Sequence, residues 1–126
     1  MSKILIVDDN RASRDLLRAI LKPLGCELFE ATHGQEALAM IREARPDLVL
    51  LDIDMPVLDG FSVVRRIRQE PSLTGLPVIA VTAYAMEGDR EKSLAEGFTA
   101  YVTKPVQAAT LRQQVKELLN DATSGR

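Results

Sequence analysis

Runs of consecutive apolar residues alternate along the chain with stretches in which apolar residues recur every three or four positions. The first run, Lys3 to Val7, is branched, apolar and bounded by Asp8-Asp9, which suits a buried strand. Residues 11 to 24 then place Leu16, Leu17, Ile20, Leu21 and Leu24 on one helical stripe closed by Gly25. Glu27 to Ala31 reads as a weaker strand, and Ala37, Leu38 and Ile41 mark a second helix that stops near Pro46. Asp47 to Asp52 is a second strongly apolar strand, and Phe61, Val64 and Ile67 follow helical spacing after the Asp59-Gly60 turn. Gln69 to Leu76 holds Pro71 and Gly75 and reads as loop. Pro77 to Thr82 is strand, Met86 to Ala95 a helix with a thin apolar stripe, and Thr99 to Thr103 the last strand. Leu111, Val115, Leu118 and Leu119 define a final helix, and the polar stretch from Asn120 to Arg126 is expected to fray.

Strands that alternate with helices in this way predict an α/β fold, with right-handed crossovers and a parallel sheet covered on both faces. The near-continuous apolar strands agree, because a strand buried on both faces has no polar side to show. In such sheets the ligand site lies beyond the carboxyl ends of the strands, where the strand order reverses. The residues at those ends are Asp8 and Asp9, Asp52, Thr82 with Ala83, and Lys104 with Pro105.

Composition narrows the field. The 126 residues are 46% hydrophobic and 27% charged, an ordinary balance for one soluble domain. A net charge of −2 argues against binding nucleic acid, which calls for a basic face. The one cysteine, Cys26, excludes an internal disulfide and suits a reducing cytoplasm. No segment has the length of a signal peptide core or a membrane span, so a cytoplasmic protein is expected.

The strand ends bring three carboxylates, a hydroxyl and an ammonium to one edge. Carboxylates that close repel one another and raise a pKa, and a hard divalent cation relieves the conflict. All-oxygen ligands suit magnesium or manganese, and His33 and Cys26 flank the second strand, away from this edge. A phosphoryl group is the natural further anion, with Lys104 pairing with one oxygen and the Thr82 hydroxyl donating to another. Asp52 is then the nucleophile, forming an aspartyl phosphate.

Four segments, ILIVDDN (4–10), LLDIDMPVLDG (50–60), VIAVTA (78–83) and YVTKP (101–105), resemble in order and spacing the receiver domain of two-component response regulators. The resemblance covers residues 3 to about 120, so a receiver domain over residues 1–120 with a polar tail over 121–126 is expected. It implies a flavodoxin-like doubly wound sheet in the order 2-1-3-4-5. It also implies that Asp52 is the phosphoacceptor, and that Asp8, Asp9, Asp52 and the backbone carbonyl of Asp54 hold Mg2+, with Mn2+ a substitute. Thr82 resembles the switch hydroxyl, Tyr101 the switch aromatic and Lys104 the phosphoryl-contacting lysine, with the bond to Pro105 cis. The implied partners are a histidine kinase or histidine phosphotransfer protein as donor, and a downstream protein on the face made by the fourth helix, fifth strand and fifth helix. The resemblance leaves open a monomer or a phosphorylation-dependent dimer, and a receiver excised from a hybrid histidine kinase or multidomain regulator. Asn10, Asp54 and Tyr84 occupy positions that vary in the family and are expected to tune the lifetime of the phosphate.

Plainer roles compete for several of these residues. Asp8 or Asp9 could cap the first helix, and Asp59 suits a turn or cap ahead of Phe61. Arg65, Arg66 and Arg68 are expected on a solvated helix face. A flavin carrier on the same architecture would want a hydroxyl-rich phosphate loop where Asp8-Asp9 stand, and a small-molecule phosphatase would need a substrate-covering insertion that the chain lacks.

Overall fold

The computed structural model describes residues 2–83 and 86–124. Its strands are β1 (Lys3–Val7), β2 (Glu27–Ala31), β3 (Leu48–Asp52), β4 (Val78–Thr82) and β5 (Ala100–Thr103). They alternate with α1 (Arg11–Leu21), α2 (Gly34–Ala44), α3 (Gly60–Gln69), α4 (Asp89–Glu96) and α5 (Ala108–Ser124). All strands are parallel in the order β2-β1-β3-β4-β5, the flavodoxin-like arrangement expected. β3 and β4 are buried at every position, whereas β2 and β5 form the half-exposed edges. The weak apolar pattern of Glu27 to Ala31 is therefore that of an edge strand.

Alternate residues of each strand enter separate cores. Leu5, Val7, Val49, Leu51, Val78 and Ala80 pack with Ala37, Ile41, Val63, Val64, Ile67 and Phe98 on the side of α2, α3 and α4. Ile4, Ile6, Leu48, Leu50, Ile79 and Val81 pack with Leu17, Ile20, Leu21, Leu111 and Val115 on the side of α1 and α5. Each buried aliphatic side chain contributes about 2 kcal/mol of transfer free energy, so both layers are needed to hold the sheet.

The register levels the carboxyl ends. Val7 pairs with Ala31 and Leu51, Asp52 with Val81, and Thr82 with Thr103. Asp8 and Asp52 are therefore level, with Thr82 one residue step and Lys104 two steps beyond them. The chain re-enters the strands through turns at the opposite, amino edge, among them Gly25, Arg45 to Asp47, and Thr74 to Pro77; the space around Gly75 is open.

Several elements differ from the sequence reading. α1 stops at Leu21, because Pro23 cannot donate a helical hydrogen bond; Lys22–Leu24 tightens into a 3-10 turn closed by left-handed Gly25 at φ 73°. Leu16 is 52% exposed, so the buried stripe narrows to Leu17, Ile20 and Leu21. Pro71–Leu73 forms a 3-10 turn inside the predicted loop. α4 begins at Asp89 after left-handed Gly88, and Met86 lies outside it, exposed. α5 continues to Ser124, since nothing from Asn120 to Ser124 breaks a helix.

The arginines of α3 do not form a uniform solvated face. Arg65 pairs with Glu96. Arg68 is half-buried and donates to the carbonyls of Gly97 at 2.8 Å and Leu73 at 3.0 Å, and to Thr99 Oγ1 at 3.3 Å. Both side chains tie α3 to the segment around α4, as does the edge-to-face contact of Phe61 with Phe98.

Candidate active site

The level strand ends meet beside the point where the sheet order reverses, between β1 and β3. Asp8 follows β1 with the same phase as Ile4 and Ile6, Asp52 continues Leu48 and Leu50, and Lys104 continues Ala100 and Val102. All three accordingly face the side of α1 and α5. Thr82 and Tyr101 have the opposite phase and face the α4 side.

Asp8 and Asp52 are buried, and Asp9 is exposed. One oxygen from each lies within 4.8 Å of the others. Lys104 Nζ donates to Asp8 Oδ2 at 3.0 Å, lies 3.9 Å from Asp52 Oδ2, and reaches Ser13 Oγ at 3.4 Å. The Lys104–Pro105 peptide is cis. Asp52 Oδ1 accepts the backbone N–H of Asp54 at 2.9 Å, while Asp54 Oδ2 accepts the buried Thr82 hydroxyl at 2.6 Å.

Burial pushes the Asp52 carboxyl up to about 6; the Asp54 N–H and Lys104 oppose the rise, and the charges of Asp8 and Asp54 add to it. Burial acts to lower the pKa of Lys104, but its bond to Asp8 and the charges of Asp52, Asp8 and Asp54 outweigh this, and the net shift is upward. One ammonium thus serves a pocket that holds more negative than positive charge. Crowded, all-oxygen and partly open to water through Asp9, the donor set fits a hard divalent cation such as magnesium.

The helix caps settle the plainer alternatives. Asn10, not Asp8 or Asp9, caps α1, its Oδ1 accepting from Ser13 N at 2.9 Å. Asp8 Oδ1 instead accepts the backbone N–H of Asn10 at 2.8 Å. Asp59 caps α3 through Ser62 N at 2.9 Å, as expected. His33 caps α2 through Glu36 N at 3.2 Å. Tyr101 packs partly buried against the α4-side core, and its buried hydroxyl has no hydrogen-bond partner among the described residues. Burial, then the charges of Asp89 and Asp54, raise the pKa of that hydroxyl. Tyr84, expected to tune the site, lies outside the described residues.

Three contributors escaped the sequence reading. Ser13 meets Lys104 from the first turn of α1, and Arg14 holds the Asp8 carbonyl at 2.9 Å. Gly60 begins α3 so close to β3 that a Cβ there would stand 2.7 Å from both the Asp52 carbonyl oxygen and Ile53 Cα. The Asp59-Gly60 pair signals a turn, but only the fold shows what the missing Cβ makes room for.

Fold and site together have the form of a receiver, and the comparisons agree. The profile of the response regulator receiver domain matches residues 4–116, and the chain belongs to that family. It is 39% identical to the polar-differentiation response regulator DivK of Brucella anthropi over 94% of this chain and 97% of that one. Among solved structures it is similar to a CheY-like response regulator receiver domain protein from Methanospirillum hungatei (TM-score 0.90, 32% identity, 100% and 99% of the two chains). It is also similar to the receiver domain of a sensor histidine kinase from Pseudomonas aeruginosa, described with a magnesium ion coordinated in the active site cleft (TM-score 0.86, 34% identity, 94% and 98%). Receivers of this family bind Mg2+ at an acidic pocket and interact with histidine kinases or phosphotransfer proteins. Among the described residues, no helix is long and apolar enough to cross a membrane.

Proposed function

We propose that the protein is a phosphoacceptor switch that takes a phosphoryl group from a phosphohistidine onto Asp52. The observation that carries this reading is the convergence of Asp52 with Asp8, Asp9 and Lys104 at one sheet edge. An Asp52 carboxylate oxygen attacks phosphorus; the P–N bond breaks, its electron pair leaves with the imidazole, and a P–O bond forms. With a pKa of about 6, Asp52 is mostly ionised at neutral pH and supplies that electron pair. Lys104 exchanges Asp8 for a phosphoryl oxygen, and the Thr82 hydroxyl donates to another. A magnesium ion held by Asp8, Asp9, Asp52 and the Asp54 carbonyl would neutralise charge on the phosphoryl oxygens. Movement of Thr82 toward the phosphoryl group vacates space that Tyr101 follows, altering the face of α4, β5 and α5 that a downstream protein reads.

A protein donor suits the surroundings of the site better than a small molecule. Half-exposed Leu16 joins Ser13, Leu17, Pro105 and Val106 around a cleft of about 80 Å³ beside Lys104, an apolar lip at the edge of the charged pocket. The single-domain reading draws support from DivK, and the reading as part of a longer kinase from the Pseudomonas receiver. The size of the native protein, measured by immunoblot of source cells, separates them.

Incubation with magnesium and acetyl phosphate tests the chemistry. The intact mass should rise by one phosphoryl group in the parent and in Asp54→Asn, and stay unchanged in Asp52→Asn. An adduct mapped to Asp54, or its persistence in Asp52→Asn, overturns the assignment.

A further inference from the structure

We propose that Asp54 is a positioning residue that latches the Thr82 hydroxyl in the unphosphorylated protein and releases it when Asp52 is modified. This rests on the phosphoacceptor reading and adds a regulatory contact to it. A threonine hydroxyl has a single proton to donate. Here that proton goes to Asp54 Oδ2 at 2.6 Å, the short spacing of a bond to a charged acceptor. While the bond stands, Thr82 has nothing to offer a phosphoryl oxygen.

The same residue also senses Asp52. The backbone N–H of Asp54 donates to Asp52 Oδ1 at 2.9 Å, so one residue holds the nucleophile with its main chain and the switch hydroxyl with its side chain. Phosphorylation changes both ends at once. An acyl phosphate leaves Asp52 Oδ1 a weaker acceptor, and the incoming phosphoryl charge repels the Asp54 carboxylate. Thr82 then exchanges one anionic acceptor for another. The bond to Asp54 is therefore a toll on activation, and a side chain unable to accept would remove it.

The test is a double-mutant cycle on the full chain, with beryllofluoride and magnesium as the phosphoryl mimic. The proteins are the parent, Asp54→Ala, Thr82→Val and the double variant, each first checked for cooperative thermal unfolding. Asp54→Ala should tighten apparent binding of the mimic by about tenfold, the scale of a lost hydrogen bond to a charged group. In the Thr82→Val background the same change should have a clearly smaller effect. An equal gain in both backgrounds assigns the effect to charge repulsion alone and overturns the latch. So does weaker binding by Asp54→Ala. A second readout needs no ligand. NMR three-bond couplings should show the Thr82 side-chain rotamer populations shifting between the parent and Asp54→Ala; identical couplings overturn the proposal. Failure of the parent to bind the mimic would instead strike the phosphoacceptor reading, and the ligand-free couplings still decide whether the latch exists.

Discussion

Asp52 carries its charge where burial opposes it. Its carboxyl titrates near 6 in the folded protein, against about 3.9 in an unfolded chain. Below about pH 4 both states hold the proton and the site costs nothing. As pH rises from about 4 to 6 the unfolded chain ionises first, so stability falls across that window and stays lowered above it. The full penalty is at most about 3 kcal/mol at 1.36 kcal/mol per pKa unit. Asp52→Asn should therefore stabilise the protein in chelator-containing buffer near about pH 8 by about 1–3 kcal/mol, with the gap closing below about pH 4. Urea denaturation at both pH values measures this, and a gap independent of pH refutes it. The acids and Lys104 were legible in the sequence because each ends an apolar run. The bond from Thr82 to Asp54 was not, since it depends on strand register and on the rotamers of both side chains. Nor was the role of Arg68, whose partners include backbone carbonyls that leave no mark in a sequence.

At the level of elements, β3 and α3 are joined with almost no clearance. Gly60 N–H donates to the Ile53 carbonyl at 3.1 Å, and the nearest obstacles to a side chain there are backbone atoms that cannot swing aside. Gly60→Ala should destabilise the fold by about 2 kcal/mol and slow phosphorylation by acetyl phosphate through displacement of Asp52. Unchanged thermal stability would show that the approach is looser than it looks. α4 stands at the other extreme. Ser93 is the one buried residue within it, and it is fastened largely through Arg65 and through Lys92 over the Phe61 ring at 4.8 Å. Few buried apolar contacts are what a movable element requires. The thin stripe that weakened the prediction over Met86 to Ala95 thus reports a physical property of the helix. The boundaries read less well, because Pro23 and Gly88 act through local backbone geometry that periodicity does not encode.

For the molecule as a whole, the strand alternation and apolar runs made the architecture legible, while the sheet order came from family resemblance and not from periodicity. The pocket gathers Asp8, Asp9 and Asp52 against one lysine, so a bound cation should stabilise the native state over the unfolded chain. At magnesium about ten times its dissociation constant the gain is about 1.4 kcal/mol, or about 5 °C in Tm. Asp9→Asn should lose most of that rise, and scanning calorimetry with and without chelator checks both. A rise undiminished in Asp9→Asn would place the cation elsewhere.

The strands end level at the carboxyl edge, and this also divides the chain into positions that accept length changes and positions that do not. One residue added within β3 would turn Asp52 to the other face of the sheet and separate it from Asp8. The turns at the amino edge stand the full length of the strands away from that chemistry, and Gly75 has open space around it. That edge is where a fluorescent label, a surface tether or an inserted domain can be attached while the working edge keeps its register.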